Sequence, residues 1–512
     1  MEAFDNKANL AMRKANEFRE FETIEILLYH QPFKLPSQKR PKDSADEANL
    51  FDEHDCIVNT LSVELKTMIQ KFVSRCFLLI FLFASFNRTL GEAPWQVGAA
   101  SVPMQADDSM VIGGGIGPGF ATGQEGILQS TAIVIRADKT LCLIAIDVLM
   151  MHRDWMDQAA KAIEKECGIP FDNILINASH THHAPSTVTV HGYSQDEEFC
   201  KRTVAAMVEA AMIANQQALE SDPCIGFFRL GQEATVGQNS RQLLKDGKIY
   251  WIGPKDDFVR PTDPFDVDLP VVSFRKKDGS DVAMFFNHST HCIGTRSGKR
   301  SPSFYGLAAQ DLSERHKVPV AFFSGAAGST HNLVLDCNEM VTRIESAVED
   351  TYDKATPMQS SRLASIKRDI SFQMRTFDEQ AEDFAVSEYC HKYAPQGADL
   401  IIRVFRDSRL KLKPAQGQIR SMWIQAMQIG DVYVVGVPAE FFTVLGLEIK
   451  RRSPFRNTFV FALSNDYVGY LPNRQGFKNG GYQTWAGLHS FSEVGTGEMV
   501  VEECLKLLNE LK

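Results

Sequence analysis

The sequence lacks several patterns that would assign a protein to a broad class at once. It has no tract rich in lysine and arginine, and its formal net charge is −10 with a pI near 5.8. A nucleic-acid partner is therefore not expected. Its ten cysteines include no Cys-x-x-Cys pair, so neither a zinc ribbon nor a dense disulfide framework is indicated. What is present, 44% apolar and 23% charged residues in 512, is typical of one large globular domain or two ordinary ones.

The first 93 residues differ from the rest of the chain. Residues 1–67 are predicted to be a disordered segment or a spurious extension ahead of the true start. Lys71 and Arg75 then precede the largely apolar segment Cys76–Phe86, which is too short to span a bilayer and has the length of a signal-peptide core. We expect residues 68–93 to be a signal peptide of a periplasmic or secreted protein without a stable transmembrane anchor. A buried core helix is the alternative, and a membrane anchor is a weaker one.

From residue 94 onward apolar strands alternate with helices, which predicts one α/β domain over 94–512 with mixed sheets and flanking helices. Five of the predicted strands are each followed by polar residues: Ile174–Asn177, Val282–Phe286, Val318–Phe323, Val432–Val437 and Phe459–Leu463. The carboxyl ends of strands form the edge where sites of α/β proteins lie. We therefore expect a functional site at the C-terminal ends of these strands.

Two further segments are predicted to be loops. The glycines of Gly113–Gly119 superficially suggest a phosphate-binding turn, but Pro118 lies where a helix should begin and Leu128–Ile135 is a predicted strand. A loop with special backbone angles is the better prediction. The segment Gly253–Pro270 is rich in Asp and Pro and predicts a surface loop, after an Asp-Gly turn that ends at residue 247.

The loop after the Ile174 strand holds three histidines. In an extended chain His180 and His182 lie on the same side and His183 on the other. Two imidazoles aimed at one point suit a divalent transition metal, most often zinc. The alternative is that these are polar loop histidines with ordinary hydrogen bonds.

Four segments, in this order, resemble motifs of the neutral (non-lysosomal) ceramidase family, secreted zinc amidases that cleave the N-acyl bond of ceramide. They are Ala178-Ser-His-Thr-His-His-Ala-Pro185, Phe285-Phe-Asn-His-Ser289, Pro438-Ala-Glu-Phe-Phe-Thr443 and Asn465-Asp-Tyr-Val-Gly-Tyr470. The resemblance covers roughly residues 95 to 500. It implies a ceramidase-like catalytic domain in which zinc is bound by His180, His288, Glu440 and Tyr470.

The resemblance also implies roles for residues around the metal. His182 is expected to stabilise a developing oxyanion or to relay a proton, with a purely structural role as the alternative. Arg241, His183 and Asn465 are expected to contact substrate. Arg241 departs from the pattern, because the family has its arginine directly after the asparagine and here Ser240 intervenes.

A second departure concerns the nucleophile. The family has a serine in a Gly-Asp-x-Ser loop, whereas this chain reads Gly328-Ser-Thr-His-Asn332, and neither register leaves a serine at that position. Three alternatives remain: attack by metal-activated water, substitution by Ser329 or Thr330, or an inactive protein. We favour water, with His331 as general base or as a further metal ligand.

The predicted function is that of a zinc-dependent amidohydrolase acting on ceramide or another N-acyl lipid, so the expected partner is a small-molecule or lipid substrate. Only 42 residues follow Tyr470, which leaves no room for the family's C-terminal immunoglobulin-like domain and weakens ceramide in particular. The alternatives are a ceramidase-like pseudoenzyme or binding protein, and a zinc hydrolase of a different ester or amide.

Overall fold

The structure is a computed structural model that describes residues 95–512. The predicted extension at 1–67 and the predicted signal peptide at 68–93 lie outside the described residues. All residues that the structure describes fall within one structural unit.

The strands of this part of the chain match all five of the predicted strands that end in polar residues. In chain order they are β1 (Gln96–Pro103), β2 (Gln129–Arg136), β3 (Thr140–Ile146), β4 (Ile174–Ala178), β5 (Cys224–Gln232), β6 (Gly237–Asn239), β7 (Gln242–Leu244), β8 (Phe258–Pro261), β9 (Asp268–Lys276), β10 (Asp281–His288), β11 (Val320–Ser324), β12 (Thr330–Asn332), β13 (Thr356–Pro357), β14 (Leu363–Gln373), β15 (Ile419–Ile429), β16 (Val432–Gly436), β17 (Glu440–Phe441), β18 (Thr458–Phe461) and β19 (Tyr470–Leu471).

The helices flank these strands, as the α/β prediction requires. They are α1 (Arg153–Cys167), α2 (Glu197–Glu220), α3 (Ser303–His316), α4 (Cys337–Tyr352), α5 (Glu379–Tyr393), α6 (Ala398–Leu412), α7 (Thr443–Arg452), α8 (Arg474–Asn479) and α9 (Thr496–Glu510). Several begin at an aspartate whose side chain accepts a hydrogen bond from the first turn; Asp196, for example, accepts from the Phe199 N–H.

Three larger sheets contain both parallel and antiparallel pairs, which confirms the prediction of mixed sheets. Their strand orders are β1-β2-β3-β4, β11-β10-β9-β5-β13 and β14-β15-β16-β18. Within them β3 with β4, β10 with β11 and β16 with β18 are the parallel pairs. The strands that carry the predicted site are therefore members of these parallel pairs, so within each pair the carboxyl ends lie side by side.

The three sheets share one apolar core. Residues of all three contribute to it, among them Leu143, Phe323 and Phe461, all buried. The rings of Phe323 and Phe461 stack with centroids 4.6 Å apart across two sheets. Burial of such side chains supplies most of the stabilisation that holds the sheets together, at about 25 cal/mol per Å² of apolar surface.

A buried asparagine joins the strand ends that lead into the site. The Asn177 side chain on β4 donates to the Ala462 carbonyl and to Ser464 Oγ at 3.1 Å, just beyond β18, and accepts from the Ser324 N–H of β11 at 2.9 Å. A buried amide with these partners is satisfied on both its oxygen and its nitrogen. The Asn177 side chain therefore connects the starts of the loops that follow β4, β11 and β18.

The loop predictions are confirmed in part. Gly113–Gly119 forms a loop without a helix, and the Gly247 N–H donates to the Leu244 carbonyl at 3.0 Å in the predicted turn. The prediction of a surface loop over Gly253–Pro270 was wrong at Phe258–Pro261, which forms β8 and pairs with β7, and at its last three residues, which begin β9. Exposed edge strands this short carry little apolar signal, which is why composition favoured a loop.

No helix within 95–512 is long and apolar enough to cross a membrane. The eight cysteines of this range are free thiols. Cys292, directly after His291, is buried, with its Sγ 3.8 Å from the Pro302 carbonyl oxygen.

Candidate metal centre

Four side chains from separate segments meet at the carboxyl ends of the strands. His180 follows β4 and His291 follows β10, while Glu440 and Tyr470 are opposite each other in the parallel pair of β17 and β19. Glu440 Oε2 lies 3.4 Å from His180 Nε2 and 3.5 Å from His291 Nε2, and the Tyr470 hydroxyl lies 3.3 Å from His291 Nε2. All four are buried. Two imidazoles, a carboxylate and a phenol thus face one point.

Backbone carbonyls hold both imidazoles in place. The Nδ1 of His180 lies 2.9 Å from the Leu149 carbonyl oxygen, and the Nδ1 of His291 lies 3.0 Å from that of Ala327. An Nδ1–H that donates to a carbonyl leaves the Nε2 lone pair free for a metal, which is the usual outer support of metal-binding histidines. His180 has a φ of 64°, so the backbone after β4 is bent to aim the ring inward.

The carboxylate is ionised in this environment. Burial opposes the charged form, but the neighbouring imidazoles of His180 and His291 outweigh burial and hold the pKa of Glu440 well below its usual value. The Tyr467 hydroxyl donates to Glu440 Oε1 at 3.0 Å, which leaves Oε2 for the centre. Burial is the main reason why the pKa of Tyr470 lies well above its usual value, and the negative charge of Glu440 is the second. A cation is therefore needed to make this phenol an anionic ligand.

Three donor pairs have separations that suit a tetrahedral metal ion. Ligands held about 2.0–2.2 Å from zinc in a tetrahedron are themselves about 3.3–3.6 Å apart. The separations of 3.3, 3.4 and 3.5 Å between these donors lie in that range. His180, His182 and His291 also form a group whose nitrogens lie within 4.8 Å of one another, so a metal ion is compatible with the site.

His182 lies beside the four donors but is held differently. Its Nε2 is 3.4 Å from His180 Nε2, and a Cβ added at Gly114 would lie 2.5 Å from its Nδ1. Gly114 has a φ of 107° and donates its N–H to the Tyr193 hydroxyl at 2.8 Å, so a side chain is excluded there by both space and backbone angle. Burial, then the charges of His180 and His291, hold the pKa of His182 well below its usual value.

His288, which the sequence assigned as a metal ligand, does not join the centre. Its Nδ1 lies 2.5 Å from the Tyr305 hydroxyl and its Nε2 lies 3.0 Å from the Glu233 carbonyl oxygen. Both ring nitrogens are thus committed inside the fold. His288 is the last residue of β10, whereas the loop that follows carries His291 to the donors. The sequence did indicate a histidine ligand after this strand, because Asn287-His-Ser-Thr-His-Cys292 contains two histidines.

The three predicted substrate-binding residues are placed apart from one another. Arg241 is fully buried and donates to Gln483 Oε1 at 2.7 Å and to the carbonyls of Gly476 and Gly480 at 3.0 and 2.6 Å. Asn465 is also buried, accepts from the Ile176 N–H at 3.1 Å and donates to a glutamine at 2.8 Å. Neither side chain lines the cleft described below, so both have structural contacts.

His183 is nearer to the site. Its Nε2 accepts from the Gly294 N–H at 2.9 Å, and the residue lines a cavity of about 220 Å³ that adjoins His182. The two histidines thus line one wall of this cavity together with the glycine loop 113–119. The prediction put His182 and His183 on opposite sides of an extended chain, whereas both line this cavity; the φ of 64° at His180 shows that the chain is not extended there.

The loop that replaces the family's serine loop does not present a free hydroxyl. Ser329 is fully buried and its Oγ accepts from the Thr443 N–H at 3.0 Å, at the start of α7. Thr330 is fully buried too, and its hydroxyl lies 3.0 and 3.1 Å from the carbonyl oxygens of Ser289 and Ala327. A hydroxyl that already donates to a carbonyl has to break that bond before it can attack a substrate.

His331 lines the cleft described below, as Thr330 does, but it carries an imidazole. The ring stacks on that of His291 at 5.6 Å between centroids and 13° between planes, and its Nδ1 lies 3.0 Å from the Asn332 carbonyl oxygen. Burial, with a smaller contribution from His291, lowers the pKa of His331 to about 4. The imidazole is therefore neutral near pH 7 and able to accept a proton.

A cleft of about 380 Å³ opens over the donors. The rings of Trp251 and Tyr482 stack at 4.5 Å and 3° and form one wall, and Tyr470, His182 and His331 lie along the cleft. Among residues 95–512 no aspartate or glutamate lines it, and Lys255 is the only lysine or arginine that does. The sequence did not mark Trp251 and Tyr482, because their role depends on packing between distant segments. Tyr467 lies within the motif Asn465–Tyr470, but no role was predicted for it.

Comparison with known proteins supports the fold. No protein-family model matches the sequence, and no curated protein matches it. The neutral ceramidase from Pseudomonas aeruginosa has a similar structure, with a TM-score of 0.63 and 15% identity over 82% of this chain and 74% of that one. A ceramidase complexed with C2 is similar over 82% and 75% of the two chains, with a TM-score of 0.61 and 16% identity. The predicted resemblance is thus confirmed at the level of the fold: the chain has a ceramidase-like fold.

Proposed function

We propose that the protein is a zinc-dependent amidohydrolase that cleaves the N-acyl amide bond of ceramide or another N-acyl lipid. The observation that carries this proposal is the convergence of four donor residues: Glu440 lies 3.4 Å from His180 and 3.5 Å from His291, and Tyr470 lies 3.3 Å from His291. Two neutral nitrogens and two potentially anionic oxygens suit zinc and balance its charge. The ceramidase-like fold supports the choice of an amide as the bond that is cleaved.

The residues of this chain have separate tasks in that reaction. Zinc, when bound, supplies Lewis acidity toward a carbonyl oxygen and lowers the pKa of water to about 7. His182, neutral because of its lowered pKa, donates a hydrogen bond to the oxygen on which negative charge develops. The close approach of Gly114 fixes the ring of His182, so this donor is oriented before substrate arrives.

His331 is the proposed general base. Its pKa of about 4 keeps it neutral near pH 7, and its stacking on His291 places it next to the metal donors at the cleft. The attacking group in this scheme is water, because Ser329 and Thr330 are buried and hydrogen-bonded within the fold. The stacked Trp251 and Tyr482 rings form an apolar wall for the part of the substrate that is not cleaved.

A ceramidase-like binding protein is the second candidate, and a specific observation favours it. The loop that carries the family's nucleophile has no available hydroxyl here, and an inert metal site needs the same ligands as an active one. Hydrolysis of a different ester or amide by the same centre is a further alternative. Turnover and metal content together separate these possibilities.

The test begins with metal content. Protein purified without chelator is expected to contain about one zinc per chain, which elemental analysis measures. Release of free fatty acid is then followed for N-acyl lipids, short N-acyl amines and matched esters. Zinc together with chelator-sensitive release from amides supports the enzyme. Zinc without turnover on the whole panel supports the binding protein, and absence of zinc contradicts the metal centre.

Three substitutions in the 329–331 segment test the choice of water. His331→Gln is expected to lower kcat by about 10²–10⁴-fold, the usual contribution of a general base, with zinc content unchanged. Thr330→Val and Ser329→Ala are expected to retain turnover, because neither hydroxyl attacks the substrate. A Ser329→Ala variant that folds, keeps its zinc and has lost turnover would make Ser329 the nucleophile instead.

We also propose export to the periplasm or the extracellular space. The support is the sequence alone: Lys71 and Arg75 precede the apolar segment Cys76–Phe86. N-terminal sequencing of exported protein is expected to find no residue before position 84. Recovery of residues 1–67 in the mature protein would contradict this proposal.

A further inference from the structure

Two buried histidines lie next to the metal donors and have no task in the proposed reaction. His191 precedes α2, and His489 lies between α8 and α9. Their ring centroids are 5.2 Å apart. Both line a small inner cavity of about 20 Å³, room for one water molecule, which His180, Glu440 and Tyr470 also line. The pair therefore adjoins the donor set without belonging to it.

Both histidines contact Tyr482, the residue that forms part of the cleft wall. The Tyr482 ring stacks on Trp251 at 4.5 Å and 3°, and on His489 at 4.9 Å and 20°. The Nε2 of His489 lies 3.0 Å from the backbone carbonyl oxygen of Tyr482. The Nε2 of His191 lies 3.0 Å from the Tyr482 hydroxyl. Stacking thus sets the plane of this ring, and His191 holds its hydroxyl.

The contacts of His489 show which of its ring nitrogens carries the hydrogen. Burial lowers the pKa of His489 to about 3, so the ring is neutral near pH 7 and has one N–H. A carbonyl oxygen only accepts, so this N–H is at Nε2. The Nδ1 is buried and has no hydrogen-bond partner among residues 95–512, and what stays unpaired there is a lone pair.

The same reasoning assigns the hydrogen of His191. Burial lowers its pKa to about 4, and its Nδ1 also has no hydrogen-bond partner in the part of the chain that the structure describes. An unpaired buried N–H is rarer in proteins than an unpaired buried acceptor, which favours the hydrogen on Nε2. Nε2–H then donates to the hydroxyl oxygen of Tyr482. The hydrogen of that hydroxyl is left for another acceptor.

Tyr482 is placed to donate this hydrogen to the site. It lines both the cleft and the inner cavity, as Tyr470 does. The two tyrosine rings lie edge to face, with centroids 5.7 Å apart and planes at 76°. His191 lines the inner cavity but not the cleft, so it reaches the cleft only through Tyr482.

We propose that His191 is a positioning residue that holds the Tyr482 hydroxyl as a hydrogen-bond donor toward the metal centre. This inference rests on the proposed amide hydrolysis. A donor that is oriented before substrate binds stabilises the negative charge that develops in the reaction, and removal of one such donor lowers kcat by about 10²–10³-fold. His191 acts through Tyr482 and does not contact substrate.

Three substitutions of His191 test this role. The amide nitrogen of glutamine can occupy the position of Nε2, whereas that of asparagine corresponds to Nδ1. His191→Gln is therefore expected to keep kcat within about tenfold of the wild type, and His191→Asn and His191→Leu are expected to lower it by about 10²-fold with KM and zinc content unchanged. His391→Leu, at an exposed histidine of α5 that lines neither cavity, is the control. An equal loss of kcat in all three His191 variants overturns the proposal.

A double-mutant cycle tests whether His191 acts through the hydroxyl. Tyr482→Phe is expected to lower kcat by about 10²-fold, and His191→Leu is expected to lower it no further in the Tyr482→Phe protein. Two residues that act as one unit give this non-additive result. A full additional loss from His191→Leu in that background would mean that His191 acts by another route.

A measurement without turnover distinguishes a failure of this inference from a failure of the proposed function. Nitrogen NMR of isotopically labelled protein reports which ring nitrogen of a histidine carries the hydrogen, and the His191 signals are those that disappear in His191→Gln. The hydrogen is expected on Nε2. Hydrogen on Nδ1 overturns the proposal whatever the activity. Hydrogen on Nε2 in a zinc-loaded protein that hydrolyses no substrate supports the positioning of Tyr482 and contradicts the hydrolase.

Discussion

Replacing His291 by alanine is expected to remove the bound metal ion and to lower turnover by more than about 100-fold. Loss of an outer partner of a metal ligand already costs about 10–100-fold in affinity or activity, and His291 is itself one of the proposed ligands. Its Nε2 lies 3.5 Å from Glu440 Oε2 and 3.3 Å from the Tyr470 hydroxyl, so the substitution removes one of the four proposed ligands. Elemental analysis and an amide hydrolysis assay on the same preparation measure the two effects.

His288 provides the matched control three residues earlier. His288→Ala leaves the Tyr305 hydroxyl and the Glu233 carbonyl without their partner, so it is expected to lower the free energy of unfolding. It is also expected to leave zinc content near one per chain in the folded fraction. The opposite pattern, with metal lost in His288→Ala and kept in His291→Ala, would restore the ligand set that the sequence first suggested.

Arg241→Ala is expected to lower the free energy of unfolding by about 3 kcal/mol or more. The change removes the donor for Gln483 Oε1 and for two backbone carbonyls of the segment 476–480, and each buried acceptor left unpaired costs about 1–3 kcal/mol. Burial also lowers the pKa of Arg241 to about 10, so this arginine is a costly group that the fold retains for its hydrogen bonds. Urea-induced unfolding measures the loss.

A surface arginine serves as the control that distinguishes the loss of buried hydrogen bonds in Arg241→Ala from the loss of one positive charge. Arg368 pairs with Glu510 at 3.0 and 2.7 Å on the exterior, and Arg368→Ala is expected to change stability by no more than about 1 kcal/mol. If Arg241→Ala leaves the unfolding midpoint unchanged and raises only KM, Arg241 contacts substrate after all.

The sequence predicted the parts of the site that lie next to strong local patterns. Each of the runs that begin at Ile174, Val282, Val318, Val432 and Phe459 contains most of a buried apolar strand, and the polar residues after it are found at the sheet edge as expected. His180, Glu440 and Tyr470 were predicted as ligands, and their side chains do converge. The bound metal itself remains a prediction.

The choice between His288 and His291 was beyond the sequence. Both follow the same apolar run. His288 is buried and contacts the Tyr305 hydroxyl and the Glu233 carbonyl, whereas His291 lies in the loop after the strand and faces Glu440. The register of β10 and the path of the loop decide between them, and both depend on contacts with distant segments. The same holds for Arg241, whose partners lie more than 230 residues away along the chain.

The sequence by itself determined the α/β class, the buried strands and the edge at which polar residues collect, because hydrophobic periodicity and chain direction are local properties. Only the tertiary structure decided which of the polar groups face one another. It brought His291 to the donors and enclosed the hydroxyls of Ser329 and Thr330. These outcomes depend on how loops from separate sheets pack, and that packing is set by long-range contacts that no short stretch of sequence contains.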